Sequence, residues 1–179
     1  MRFPLAEQLA LECRLAQVIP GRIHSDGKRY LPLLMFELHQ QPQPQIALVD
    51  RHHQVDLRCE GQNGQLQAIF LLSRIQRGVS GQKGLEDQQA LAAQRASSAP
   101  TVFGQVLEMA TWEESQHALP SQSLFIELLL DIGVGKVGVR THTTVADITA
   151  AFGKPQIETG DWITLTRSRI DILAFKPQS

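Results

Sequence analysis

The sequence predicts a mostly β protein with short helices, on three observations. Apolar residues recur at every second position over residues 9–15, the period of a half-buried strand, which is read as continuing to Ile19. Glycine- and proline-bearing turn signals recur between short apolar runs. Residues 102–175 read as three strands, a helix and two further strands.

In the first half, Leu9, Leu11, Cys13 and Leu15 fall on one face, with Glu12 and Arg14 opposite. Leu5, Leu9 and Ala16 behind Pro4 also fit a helical stripe, but a strand agrees better with the sheet-like sequence that follows. Pro20-Gly21 and Ser25-Asp26-Gly27 punctuate a loop that carries Arg22, His24, Lys28 and Arg29. Residues 30–38 read as a strand that Pro32 confines to an edge or a bulge. The Gln/Pro stretch 40–45 reads as a loop. Asn63-Gly64 predicts a type I′ hairpin turn, which pairs Cys59 with Ala68, Leu57 with Phe70 and Val55 with Leu72. Residues 78–100 lack aromatic residues and read as a linker with a short helix within 85–96, ended by Ser97-Ser98-Ala99-Pro100.

In the second half, residues 102–110 and 124–132 read as strands, the latter continuing past Gly133 and Gly135 into 136–141. A helix over Val145–Phe152 follows, with Thr144 as N-cap, Asp147 in the first turn, and Gly153 then Pro155 as the stop. Trp162, Thr164 and Thr166 oppose Ile163 and Leu165 in the next strand, and residues 170–175 form the last. Three short echoes link the halves: Leu15-Ala-Gln-Val-Ile19 with Phe103-Gly-Gln-Val-Leu107, Leu34-Met-Phe-Glu-Leu38 with Leu124-Phe-Ile-Glu-Leu128, and Ser73-Arg-Ile75 with Ser168-Arg-Ile170. A duplicated β-module and a chance similarity of apolar strands both account for them.

The chain has 179 residues, 42% hydrophobic and 20% charged, with a formal charge of -1. That composition predicts a buried core and excludes wholesale disorder. Residues 1–77 carry nine Lys/Arg against seven Asp/Glu, and residues 101–179 carry six against nine. A polyanion therefore meets the first half more favourably. Cys13 and Cys59 sit in apolar contexts that suit buried thiols in a reducing compartment. Charges interrupt every apolar run before it reaches signal-peptide or membrane-spanning length, so a cytoplasmic protein without membrane contact is expected.

Three strands, a helix and two strands is the order of the OB-fold, a five-stranded Greek-key barrel. Residues 100–175 resemble such a barrel, with Val145–Phe152 as its plug, and Gly160-Asp161-Trp162-Ile163-Thr164-Leu165 resembles the start of the fourth strand in single-stranded DNA-binding proteins. The resemblance implies an OB-like β-barrel. Its fuller form is two tandem OB-like modules, 1–77 and 101–179, joined by the linker 78–100. The first half has a similar opening hairpin but no clear helix before Asn63-Gly64, so a single mixed barrel or sandwich is the alternative.

No catalytic signature is present: there is no Gly-x-Ser-x-Gly elbow, phosphate-binding loop, dinucleotide fingerprint or Cys-x-x-Cys, and the glycines at 133, 135 and 138 do not open a helix. His52-His53 between Asp50 and Asp56 invites a metal or acid/base reading. Adjacent side chains on a strand point apart, however, and a polar turn explains both. The chain is therefore read as a binding protein with no cofactor and no metal. Nucleic-acid binding requires cations for phosphates and aromatic rings for bases. The candidates are Arg22, Lys28, Arg29 and Tyr30 in the first half, with Lys136, Arg140, Trp162 and Arg167 in the second. The implied partner is single-stranded DNA or RNA, bound weakly and salt-sensitively. The competing reading is a protein-binding adaptor or assembly factor, including a homo-oligomer. Its sticky surface would come from Trp112 with Phe103 and Leu119, or from an edge strand at 124–130.

Overall fold

The computed structural model describes residues 2–39, 45–113 and 119–179. Residues 40–44, most of the expected Gln/Pro loop, lie outside the described residues, as does His117. The described residues form one sheet of strands β1 (Ala10–Ile19), β2 (Leu33–Leu38), β3 (Gln45–Val49), β4 (Asn63–Leu71), β5 (Arg74–Arg77), β6 (Gly84–Glu86), β7 (Thr101–Trp112), β8 (Ser123–Asp131), β9 (Gly135–Thr144), β10 (Trp162–Thr166) and β11 (Arg169–Pro177). Two helices accompany it, α1 (Gln88–Ala92) and α2 (Val145–Phe152). The mostly β class with short helices holds.

Alternation builds most of the strands. In β1, Leu11, Cys13 and Leu15 are fully buried while Glu12 and Arg14 face outward, so the strand reading prevails over the helical stripe. Burial pushes the Cys13 thiol up to about 12, which suits a small core hydrophobe. β4 departs from alternation because both of its faces are covered. Ala68 and Phe70 enter the main core, and Ile69 and Leu71 enter a smaller cluster with Phe3, Leu9 and Leu129. That is the setting in which a continuous apolar run is a strand. The helix α2 forms as its local signals predict: Thr144 accepts from the Asp147 N–H at 3.0 Å, and Gly153 closes the helix at a left-handed φ of 70°.

The strand order is β3-β2-β1-β4-β9-β8-β7-β10-β5, with β11 also on β4 and β6 on β7. It runs from one edge to the other without closing, so the expected closed five-stranded barrel over 100–175 is not formed. The cause is an exchange of strands. β11 leaves its own half to pair with β4, and β5 leaves the first half to pair with β10. The two pairings share one register: Thr166 opposes Arg74 and Leu165 opposes Ile75, while Leu71 opposes Arg169 and Phe70 opposes Ile170. Leu72 and Arg167, each with φ of 58°, turn the chain at the crossing, where the buried Ser73 and Ser168 hydroxyls lie 2.7 Å apart. The third sequence echo therefore marks the exchange point.

Other local expectations are corrected. The Asn63-Gly64 hairpin does not exist, because both residues belong to β4 and pair with Arg14 and Cys13 of β1. Gly64 serves close packing there: a Cβ would lie 2.5 Å from the Lys176 carbonyl and 2.7 Å from the Phe175 ring. Val55 precedes and Cys59 ends a 3-10 turn, Leu57–Cys59, capped by Asp56, and the chain reverses at Gly61 with φ of 86°. The strand expected over 30–38 begins at Leu33, after Pro32. β8 and β9 are separate strands of a hairpin whose turn holds Gly133 at φ of 84°, and they are not one bent strand. Between residues 78 and 100 the short helix expected within 85–96 is present as α1, and the chain also forms β6, with Leu85 and Ala90 buried and Ser97 paired beside Ile46 of β3.

Candidate nucleic-acid interface

The structure divides the eight candidate binding residues into two groups, with Arg140 and Arg167 each standing apart. Arg22, Lys28, Arg29 and Tyr30 share a small hairpin between β1 and β2. Its backbone closes through His24 N–H to the Lys28 carbonyl at 2.7 Å and Tyr30 N–H to the Arg22 carbonyl at 2.8 Å. Gly27, at φ of 83°, supplies the tip, and Asp26 accepts from the Lys28 N–H. The Tyr30 ring, 55% exposed, lies on the His24 imidazole with centroids 3.4 Å apart. Arg29 donates to the Gly21 carbonyl at 3.2 Å. Among the described residues, no carboxylate forms an ion pair with Arg22, Lys28 or Arg29.

Lys136 and Trp162 meet in a second place. Register sets Lys136 opposite Asp131, Asp131 opposite Gln105, and Gln105 opposite Trp162, a row on one face of four adjacent strands. At the usual strand spacing the row spans about 14 Å. The Lys83 ammonium bridges it, 2.7 Å from the Asp131 carboxylate and 5.6 Å from the Trp162 ring centroid. Burial tends to raise the Asp131 carboxyl, but Lys83 and the Gly133 N–H outweigh it and hold it below the ordinary carboxylate range. Lys136 lies beside Ala10, at the opposite end of β1 from the hairpin, on the order of 30 Å away along a ten-residue strand.

Arg140 is committed to the fold. It sits on the outer face of β9, donates to Glu127 at 2.8 Å and to the Arg2 carbonyl, and lies 5.9 Å from the Phe3 ring centroid. Its side chain is 20% exposed and that of Glu127 only 5%. Arg167, the eighth residue, stands exposed at the strand crossing, apart from both groups and from Arg140.

A further charged cluster has no signal in local sequence. The Asp171 carboxylate on β11 has no exposed side-chain surface, and Arg51, His52 and Arg169 surround it at 3.4, 3.5 and 3.3 Å. Asp50 meanwhile accepts the Gln54 and Val55 N–H groups and shapes the turn that carries His52. The two histidines thus have different surroundings, and among the described residues no group of three or more His, Cys, Asp or Glu is arranged to hold a metal. The residues of the adaptor reading are also separated. Phe103 and Trp112 lie toward opposite ends of β7, and β8 is an interior strand between β7 and β9, so it offers no edge. Compared with protein-family models, with curated proteins and with solved structures, the chain matches none, and its function is argued from its own side chains.

Proposed function

We propose that this protein is a non-catalytic binding protein that recognises single-stranded nucleic acid through the hairpin 22–30. The reading rests on one observation: three cations without carboxylate partners among the described residues share a short, exposed hairpin with a half-exposed tyrosine backed by an imidazole. Phosphates displace counterions from Arg22, Lys28 and Arg29, and a base stacks on the free face of Tyr30. The hairpin is braced by its own backbone hydrogen bonds, so little ordering entropy is lost on binding. Lys136 and Trp162 are assigned a secondary contact at most, because Asp131 and Lys83 already engage them.

Titrating a fluorescent single-stranded oligonucleotide at low and high salt tests this. Affinity falls steeply with salt, the triple variant Arg22→Gln/Lys28→Gln/Arg29→Gln loses binding, and Tyr30→Ala loses roughly 1–3 kcal/mol. Undiminished binding by the triple variant removes the proposal. A protein partner is the second reading, favoured by Ile23, which is exposed on the same hairpin and which phosphate chemistry does not need. Salt-insensitive association that Ile23→Ser abolishes selects it.

A further inference from the structure

The strand crossing requires two residues in left-handed backbone, Leu72 and Arg167. Glycine or asparagine would fill both positions with less strain. The chain instead places a leucine, 66% exposed, and an exposed arginine there. Neither side chain is used in the fold that its backbone strains: Leu72 belongs to neither apolar cluster, and Arg167 has no ion-pair partner among the described residues. Strain retained at a side chain that stabilises nothing is an indication of function.

Both residues open onto one crevice of about 640 Å³ between the crossing, the end of β9 and α2. Its size is that of a small-molecule site. Arg74, which pairs with Thr166 across the β5–β10 ladder, joins Arg167 on the rim, and it too lacks a carboxylate partner among the described residues. Leu72, Ile75, Ala150 and Ala151 give the crevice an apolar side, and Thr141, Thr143 and His142 line it with polar groups. Asp147 is the one carboxylate in the described lining. Two arginines share the lining with it, so the charge balance favours an anion.

We propose that this crevice binds a phosphate monoester carrying a flat aromatic group, as a nucleoside monophosphate does. Arg74 and Arg167 hold the phosphate in forked hydrogen bonds, and the flat group lies against Leu72, Ile75 and Ala151. The site stands apart from the hairpin and does not depend on how the hairpin is used.

Phenyl phosphate and inorganic phosphate, titrated by calorimetry into the full chain, separate the two halves of the claim. Phenyl phosphate binds at least ten-fold tighter than inorganic phosphate. Arg74→Gln and Arg167→Gly each weaken both ligands at least ten-fold, and glycine at 167 keeps the left-handed backbone, so the loss is not one of folding. Leu72→Asn, also tolerant of that backbone, erases the advantage of the phenyl group and leaves phosphate affinity unchanged. The hairpin triple variant binds phenyl phosphate as the parent does, so failure here and failure of the oligonucleotide reading are distinguishable. Equal affinity for the two probes, or affinity indifferent to both arginine substitutions, overturns the proposal.

Discussion

The two halves of the chain are wired alike but spend their cations differently. Leu15 donates to the Gln62 carbonyl and accepts from Gly61, and Val106 does the same with Asp161 and Gly160. A register shift follows each of them, at Leu15/Gln17 and at Val106/Glu108. Around this shared wiring the first half leaves Arg22, Lys28 and Arg29 on a hairpin without a carboxylate partner among the described residues, while the second half sinks Arg140 into an ion pair with a buried glutamate. The comparison teaches that a basic residue in a strand pattern does not announce whether it serves the fold or a ligand. Its partner decides, and that partner lies across the sheet.

The sharpest way to break this comparison is to remove the partner. Glu127→Ala leaves Arg140 unpaired in a mostly buried site, and we expect a loss of about 3 kcal/mol in urea unfolding. Glu127→Gln, which keeps an acceptor, costs less. The hairpin variant Arg22→Gln/Lys28→Gln/Arg29→Gln changes stability by no more than about 0.5 kcal/mol, as surface substitutions usually do. If the two losses are alike, the division between structural and free cations is wrong.

A second measurement concerns the exchange that joins the halves. Ser73 and Ser168 are 95 residues apart in sequence, yet their buried hydroxyls bond to each other. Ser73→Ala and Ser168→Ala should each cost about 1–2 kcal/mol, because the hydroxyl left behind loses its partner without gaining water. The double variant should cost little more than either single one. The shortfall from additivity, about 1 kcal/mol, is the coupling that a double-mutant cycle reads. Additive losses would mean that the crossing is not closed at this point in solution.

What the sequence made legible was local, and what it hid was the choice of partner. The cap, first-turn acid and stop glycine of α2 lie within ten residues, and each acts as read. The alternation of β1, β7 and β10 likewise needs only the strand itself. Asn63-Gly64 misled because a glycine that admits left-handed backbone equally admits a close neighbour, and here Phe175 and Lys176 claim it. The exchange of β5 and β11 was hidden because the pairing it replaces satisfies the same apolar pattern. For the binding residues the same division holds. The hairpin cations stood out because Pro20-Gly21 and Gly27 bracket them. Arg140 looked equivalent until Glu127 was seen beside it, and the Asp171 cluster draws Arg51 from 120 residues away.

The smallest expected effect tests the row that shares Lys136 and Trp162. Lys83 and the Gly133 N–H depress the Asp131 carboxyl in the folded protein, so its contribution is fully present above the unfolded value, about 4, and is lost as pH falls through the lower folded value. The pair is partly exposed, so the contribution is about 0.5–1 kcal/mol. The stability gap between the parent and Asp131→Asn should therefore be constant from pH 7 to about 5 and should narrow below about 4. Because Lys83 lies over the Trp162 ring, its release should also change Trp162 emission over the same range, with Trp162→Phe as the control. A gap that persists unchanged in acid would show that Asp131 acts through the geometry of its contacts at the turn, which the amide group alters, and not through charge. Lys83 would then be electrostatically as uncommitted as the hairpin cations, and the row would hold a surface cation from the segment between the halves beside the Trp162 ring.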